Sequence, residues 1–223
     1  MDRYIIQAPD HRLYKPSNEI VDYRLAEKVV KRMLDIAFAI RNTIYEYPRG
    51  FEMAAPQIGE FYKIIILQGD YRPDPIDIET TVIVNPEILE ETDFFYNWED
   101  CLSVKDMRGY LKRCGRVRVR YRELNGKIYE KEFQGNIACD IQHGVDHLKG
   151  KLFFDREMKY FIPLSVYRPL KDQGIEALNE YVTAHYHVFD PNQYLSPSEM
   201  EKNGLIHPRQ CLLKISEIYS KKL

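Results

Sequence analysis

Two histidines, His143 and His147, stand four residues apart in the stretch Gln142-His143-Gly144-Val145-Asp146-His147-Leu148-Lys149-Gly150, and the rest of the chain has to be arranged around them. At that spacing two side chains lie one above the other on one face of a helix. Imidazoles so placed can converge on a single metal ion, as in the H-E-x-x-H pattern. The residue after the first histidine is a glutamate in that pattern and Gly144 here. A catalytic site with an open position also needs a third ligand from elsewhere. Spacing alone leaves a structural or surface role for the pair equally open.

The pattern around the pair is helical. Ile137, Ile141, Val145 and Leu148 form an apolar stripe, and Gly150 suits the end of the helix. Upstream, Leu25, Val29, Met33, Ile36, Ile40 and Ile44 repeat at spacings of three and four, which predicts a second amphipathic helix. Before it, residues 1–20 read as an extended entry with turns at Pro9-Asp10 and near Pro16-Ser17-Asn18. Pro48-Arg49-Gly50 ends that helix, and the small residues from Met53 to Gly59 let backbone approach closely. Residues 63–67 read as a buried strand, 69–79 as an exposed loop, and 81–84 with 88–91 as two strands joined by a bend at Asn85-Pro86.

Arg116, Arg118, Arg120 and Arg122 alternate with Val117, Val119 and Tyr121, so the arginines share one strand face. A solvated face is the simpler reading, and an anion or RNA contact the sharper one. Asn125-Gly126 marks a hairpin turn, with residues 127–133 returning as the partner strand. Beyond residue 160 the pattern loosens: one helix over 172–181, a Pro/Asn/Ser-rich stretch, and a final helix over 208–219.

Composition sets bounds. A net charge of −2 over 223 residues gives no overall bias towards nucleic acid or anionic membranes. No apolar run approaches a membrane span, and the start resembles no targeting peptide, which predicts a cytoplasmic protein. The four cysteines, Cys101, Cys114, Cys139 and Cys211, form no C-x-x-C pair; each by itself reads as a small buried hydrophobe. His185 and His187 could share a strand face, but an exposed His-Tyr-His is the simpler reading.

Three segments, Gly50-Phe-Glu-Met-Ala-Ala-Pro-Gln57, Glu99-Asp-Cys-Leu-Ser103 and Gln142-His-Gly-Val-Asp-His147, together resemble the three signature motifs of peptide deformylases, in the same order. Asn85-Pro86, the arginine-rich strand, the Asn-Gly hairpin and Leu148-Lys-Gly-Lys-Leu-Phe153 match as well. The resemblance covers residues 1–160, a peptide-deformylase-like metal-binding domain; residues 161–223 would be a partly helical C-terminal extension, packed on or appended to it, offering contacts to a partner or a second copy. The resemblance implies an α+β fold of small, mostly antiparallel sheets around a central metal-binding helix. It implies one divalent ion held by Cys101, His143 and His147, Fe²⁺ or Zn²⁺, with Ni²⁺ as a substitute. Gln57 and the backbone N–H of Leu102 would polarise the formyl oxygen of a nascent peptide, while Glu99 and Asp146 support the ligands.

Departures cluster at this site. Gly144 replaces the family's general-base glutamate, which predicts a void beside the metal and weak or lost deformylation. Glu52 stands at a family glycine near Gly50, and Asp100 at a glycine beside Cys101. Asn136 and Asp140 share the helix face of His143 and His147, where the family has apolar or small residues lining the substrate pocket. Two alternatives follow: an active metallohydrolase, on formyl peptides or another polar amide, with Glu52 or Asp140 as base, and a non-catalytic ribosome- or RNA-associated protein using the arginine face.

Overall fold

The chain folds as an α+β structure, and the computed structural model describes residues 4–8, 10–41, 50–68 and 80–186. The final helix expected over 208–219, the loop over 69–79, Pro48, Arg49, Ile44, Pro9, His187 and Cys211 lie outside the described residues. Six strands carry the fold: β1 (Phe51–Ala54), β2 (Ile64–Gln68), β3 (Thr80–Cys101), β4 (Val104–Arg122), β5 (Ile128–Gln134) and β6 (Met158–Pro163). Neighbours run in the order β1-β2-β3-β4-β5, and β6 pairs with β4. The chain divides into two compact units; the first holds the described residues up to Phe95 together with Arg113–Leu152.

In the first unit, α1 (Tyr23–Ile40) begins at Asp22, whose carboxylate accepts the Arg24 N–H at 2.9 Å and so satisfies an otherwise orphaned donor of the first turn. It buries the expected Val29, Met33, Ile36 and Ile40, with Ala26, Val30 and Ala37 beside them. β1 and β2 pair antiparallel, setting Glu52 opposite Leu67 and Ala54 opposite Ile65. The second helix, α2 (Asn136–Leu148), packs on β1, β2 and β5. Its Ile141, Val145 and Leu148 meet Ala54, Ile65, Leu67, Val117 and Val119 in one apolar cluster. Directly after α2 comes Gly150 at φ 70°, where a Cβ would lie 2.4 Å from the Tyr14 carbonyl oxygen, so the turn excludes any side chain there.

One sequence expectation is corrected here. Residues 81–84 and 88–91 are not separate strands but parts of the single strand β3. Asn85 takes φ 49° inside it, a left-handed conformation that asparagine tolerates. Its carboxamide locks the kink, accepting the Ile20 N–H at 2.9 Å and donating to the Ile20 carbonyl at 2.8 Å.

The second unit comprises Tyr96–Lys112 and the described residues from Phe153 onward. Here β6 pairs with the start of β4, and Phe153 and Met158 lie over Gly109, where a Cβ would come within 2.7 and 2.8 Å of them. Its core gathers Trp98, Ile162, Tyr167, Leu178, Val182 and Tyr186. The helix expected over 172–181 is instead two helices, α3 (Leu164–Gln173) and α4 (Ile175–His185), parted by Gly174 at φ 120°. Residue 160, the expected end of the metal-binding domain, falls inside β6. Among the described residues no helix is long and apolar enough to cross a membrane.

Candidate metal centre

α2 is buried along nearly its whole length, and its polar residues are therefore positioned by specific partners rather than by water. Gln142 is fully buried: its Oε1 accepts the Cys114 N–H at 3.0 Å, and its Nε2 donates to the carbonyls of Cys114 at 2.8 Å and Ala138 at 2.9 Å. That double bridge ties the helix to β4 and sets its rotation. Asp146 holds it from the other side, with the Arg113 Nη1 donating to its Oδ2 at 2.6 Å in an ion pair shielded from solvent. Arg113 escaped the sequence reading. Extending the inward phase of Val117, Val119 and Tyr121 back along the strand would have placed it inside, where an arginine requires an acidic partner.

With α2 so fixed, His143 and His147 bring their Nε2 atoms to 3.2 Å from each other. Burial, then the nearness of His143, then Arg113 push the proton affinity of His147 well below that of an ordinary histidine. The imidazole is therefore neutral near pH 7, which is the form that ligates metals.

Along the same face burial falls away towards the start of α2: Asp140 is half-buried and Asn136 is exposed at the first helical residue.

The void expected beside Gly144 does not exist. A Cβ built on Gly144 would lie 2.7 Å from Glu52 Oε1, 2.7 Å from Ile65 Cδ1 and 2.9 Å from Ile65 Cγ2, far inside ordinary contact distances. Glu52 is half-buried and shares with Ala54 the face of β1 that packs on α2. Its carboxylate thus occupies the space that a side chain on Gly144 would enter. Further along the same segment, Gln57 is buried with its Oε1 accepting the Ala54 N–H at 2.9 Å. The amide oxygen being committed to backbone, Nε2 is the donor end of that side chain. Gly50, at the head of β1, is half-buried.

In the second unit, β3 ends at Cys101 and β4 begins at Val104, with Leu102 and Ser103 forming the turn. The buried Cys101 Sγ accepts the Ser103 N–H at 3.4 Å, which holds its rotamer. Glu99 is buried, whereas the Asp100 side chain is 46% exposed with Arg108 Nη1 at 3.7 Å. Arg108 itself is buried, donating to the Trp98 carbonyl at 3.3 Å and stacking over Tyr167 at 4.2 Å.

Cys101, His143 and His147 form a group able to hold a metal ion, one ligand atom from each, all within 4.8 Å of one another. A thiolate and two neutral imidazoles suit Fe²⁺ or Zn²⁺.

The arginine face of β4 is paired on both sides. Arg116 meets Glu132 at 2.8 Å and Asp93 at 3.2 Å, Arg118 meets Glu90 at 3.2 Å and also Glu130, and Arg120 meets Glu87 at 3.2 Å and Glu130 at 3.4 Å. Five carboxylates thus answer three guanidinium groups. His185 is exposed and stacks on Tyr181 with ring centroids 4.1 Å apart.

Residues 3–160 match the family profile described as polypeptide deformylase. A peptide deformylase of Bradyrhizobium diazoefficiens is 33% identical over 161 residues, covering 69% of this chain and 86% of that protein. One from Desulfotalea psychrophila is 37% identical over 129 residues, 58% of this chain and 73% of the relative. Among solved structures, the Met-Ala-Ser-bound class I type b peptide deformylase of Acinetobacter baumannii superimposes with a TM-score of 0.59 at 31% identity, over 68% of this chain and 96% of that one. The Plasmodium falciparum peptide deformylase reaches a TM-score of 0.59 at 25% identity over 82% of this chain and 99% of its own.

Proposed function

The chain belongs to the peptide deformylase family, a family of metal-dependent hydrolases acting in protein biosynthesis, and from that premise we propose that it hydrolyses the formyl group from peptide N-termini. What carries this reading is the ligand group of Cys101, His143 and His147: among the described residues it offers three protein ligands, the number a catalytic site uses while keeping a position open. A divalent ion there, Fe²⁺ or Zn²⁺, supplies the Lewis acidity that makes water nucleophilic near neutral pH.

The chain's own residues do the rest. The donor end of Gln57 and the Leu102 N–H stabilise the formyl oxygen as it gains negative charge. Gln142 and the Arg113–Asp146 pair keep the histidines aimed while the substrate binds. Gly50, Asp100, Asn136 and Asp140 border the peptide, and the partly exposed carboxylates of Asp100 and Asp140 make that border more polar than the family's. The bound Met-Ala-Ser of the Acinetobacter relative supports a short peptide N-terminus as the ligand class, and nascent chains as its source.

This reading departs from the expectation of weak or lost activity, which rested on the absence of a general-base glutamate at 144; another carboxylate, that of Glu52, lies against that position and supports retained activity. The RNA-associated reading is weakened by the carboxylates paired along the arginine face, which leave it without net positive charge.

The experiment is to load the protein anaerobically with Fe²⁺, or with Ni²⁺, and follow free amine released from formyl-Met-Ala-Ser. Turnover that disappears on chelation and in Cys101→Ser is the expected result. Stoichiometric metal binding without turnover would refute the proposal.

A further inference from the structure

Building on the hydrolytic reading above, we propose that Glu52, delivered by β1, is the proton carrier of the reaction, and that Gly144 is glycine because Glu52 and Ile65 occupy its side-chain space. The two positions are complementary in a physical sense. With Glu52 Oε1 at 2.7 Å from where a Cβ on Gly144 would be, a side chain at 144 would displace the carboxylate from this position, and Ile65 Cδ1 and Cγ2 at 2.7 and 2.9 Å close the same space. Glycine inside a helix is unfavourable by about 0.5–1 kcal/mol relative to alanine, so its presence in the middle of α2 calls for a reason. Room for the carboxylate and for Ile65 is that reason.

The local structure aims Glu52 at the histidine-bearing turn. Strand alternation gives Glu52 and Ala54 the same face of β1, and that face packs on α2. Ala54 is fully buried in the apolar cluster; Glu52, two residues earlier, is half-buried at its edge. The residue it abuts, Gly144, directly follows the ligand His143 and lies one turn before the ligand His147. Glu52 is half-buried, and its Oε1, the atom nearest Gly144, is shielded from bulk solvent. Five residues further along the same segment comes Gln57, so one short stretch delivers both an acid and an oxyanion donor.

Asp140, the other candidate base, stands on α2 a full turn earlier than Gly144, whereas Glu52 Oε1 meets the Gly144 position directly. The observation at Gly144 therefore selects Glu52.

The step balances as follows. As water adds to the formyl carbon, forming the C–O bond, one proton of that water passes to the Glu52 carboxylate. The tetrahedral adduct then carries a hydroxyl, an anionic oxygen and the peptide nitrogen. When the anionic oxygen reforms its C=O bond, the C–N bond breaks and the proton held by Glu52 goes to the departing nitrogen. Formic acid and the free peptide amine leave, and Glu52 returns to carboxylate.

The test is a set of variants read by kinetics, metal content and melting temperature. Glu52→Gln keeps the shape but cannot accept the proton; kcat should fall by about 10²–10⁴-fold, with KM, metal stoichiometry and melting temperature little changed. Gly144→Glu alone should give no gain, because Glu52 and Ile65 are in the way, whereas Glu52→Gly and Ile65→Ala combined with Gly144→Glu should recover activity lost in Glu52→Gly with Ile65→Ala. The packing claim has its own readout in a double-mutant cycle: Gly144→Ala should lower the melting temperature of the wild type more than that of the Glu52→Gly protein, since one of its clashes is then gone. A Glu52→Gln protein with wild-type kcat would overturn the proposal while leaving the proposed function standing. A metal-loaded wild type without turnover would overturn both, and additive melting temperatures in the cycle would overturn the complementarity of the two positions.

Discussion

Gly144→Ala is the most direct probe of how tightly β1, β2 and α2 are fitted together. In an exposed helix this change would stabilise by about 0.5–1 kcal/mol through backbone entropy. If the methyl filled a void, its burial would add about 0.8 kcal/mol more. The second gain is not available here and the first is opposed, because the new Cβ would approach Ile65 Cδ1 to 2.7 Å, Ile65 Cγ2 to 2.9 Å and Glu52 Oε1 to 2.7 Å. Glu52 can swing aside at its flexible end. Ile65 cannot move its Cγ2 as easily, since a β-branched residue in a central strand is held at χ1 and Ile65 is fully buried. Overpacking of this kind costs about 1–3 kcal/mol, so after the helix gain a net loss of up to about 2.5 kcal/mol remains. For a chain of this size that lowers the melting temperature by about 2–4 °C per kcal/mol. Urea unfolding of metal-free protein, wild type against Gly144→Ala, gives the sign directly. Adding Ile65→Val, which removes the Cδ1 contact, should return part of the loss. A higher urea midpoint for Gly144→Ala would refute the reasoning, because it would mean that the space beside Gly144 is open after all.

The remaining predictions concern the supports of α2. Arg113→Met leaves Asp146 charged, buried and deprived of its 2.6 Å partner, and should cost about 3–5 kcal/mol in urea unfolding; Arg113→Met with Asp146→Leu should recover most of it. The metal-free protein should also lose stability as the pH falls below about 6.5. His147 resists protonation when folded and takes a proton when unfolded, so the unfolded state gains by up to about 1.4 kcal/mol per pH unit below its ordinary value. Unfolding curves at pH 7.0 and 5.5 for wild type and His147→Asn measure this, and an equal pH dependence in both would sink it.

Much of the site was legible in the chain. His143 and His147 declared a helix face by spacing, the period-two alternation of Val117, Val119 and Tyr121 declared a strand, and Asn125-Gly126 a turn; each is local and follows from backbone geometry. Cys101 became a candidate ligand only through its motif, because a lone cysteine carries no signal of its own. Pairing across elements was not legible. Arg113 with Asp146 joins residues 33 apart in sequence, and Asn85 with Ile20 joins residues 65 apart.

The sequence by itself thus determined which helix carries the candidate metal ligands, and that the usual glutamate between them is missing. It could not say what stands in the vacated space, since that depends on which strand packs on α2 and with what register. Only the tertiary structure decided it: the pairing of β1 with β2 turns Glu52 and Ile65 onto the one glycine in the helix, where three short contacts leave no room for anything else.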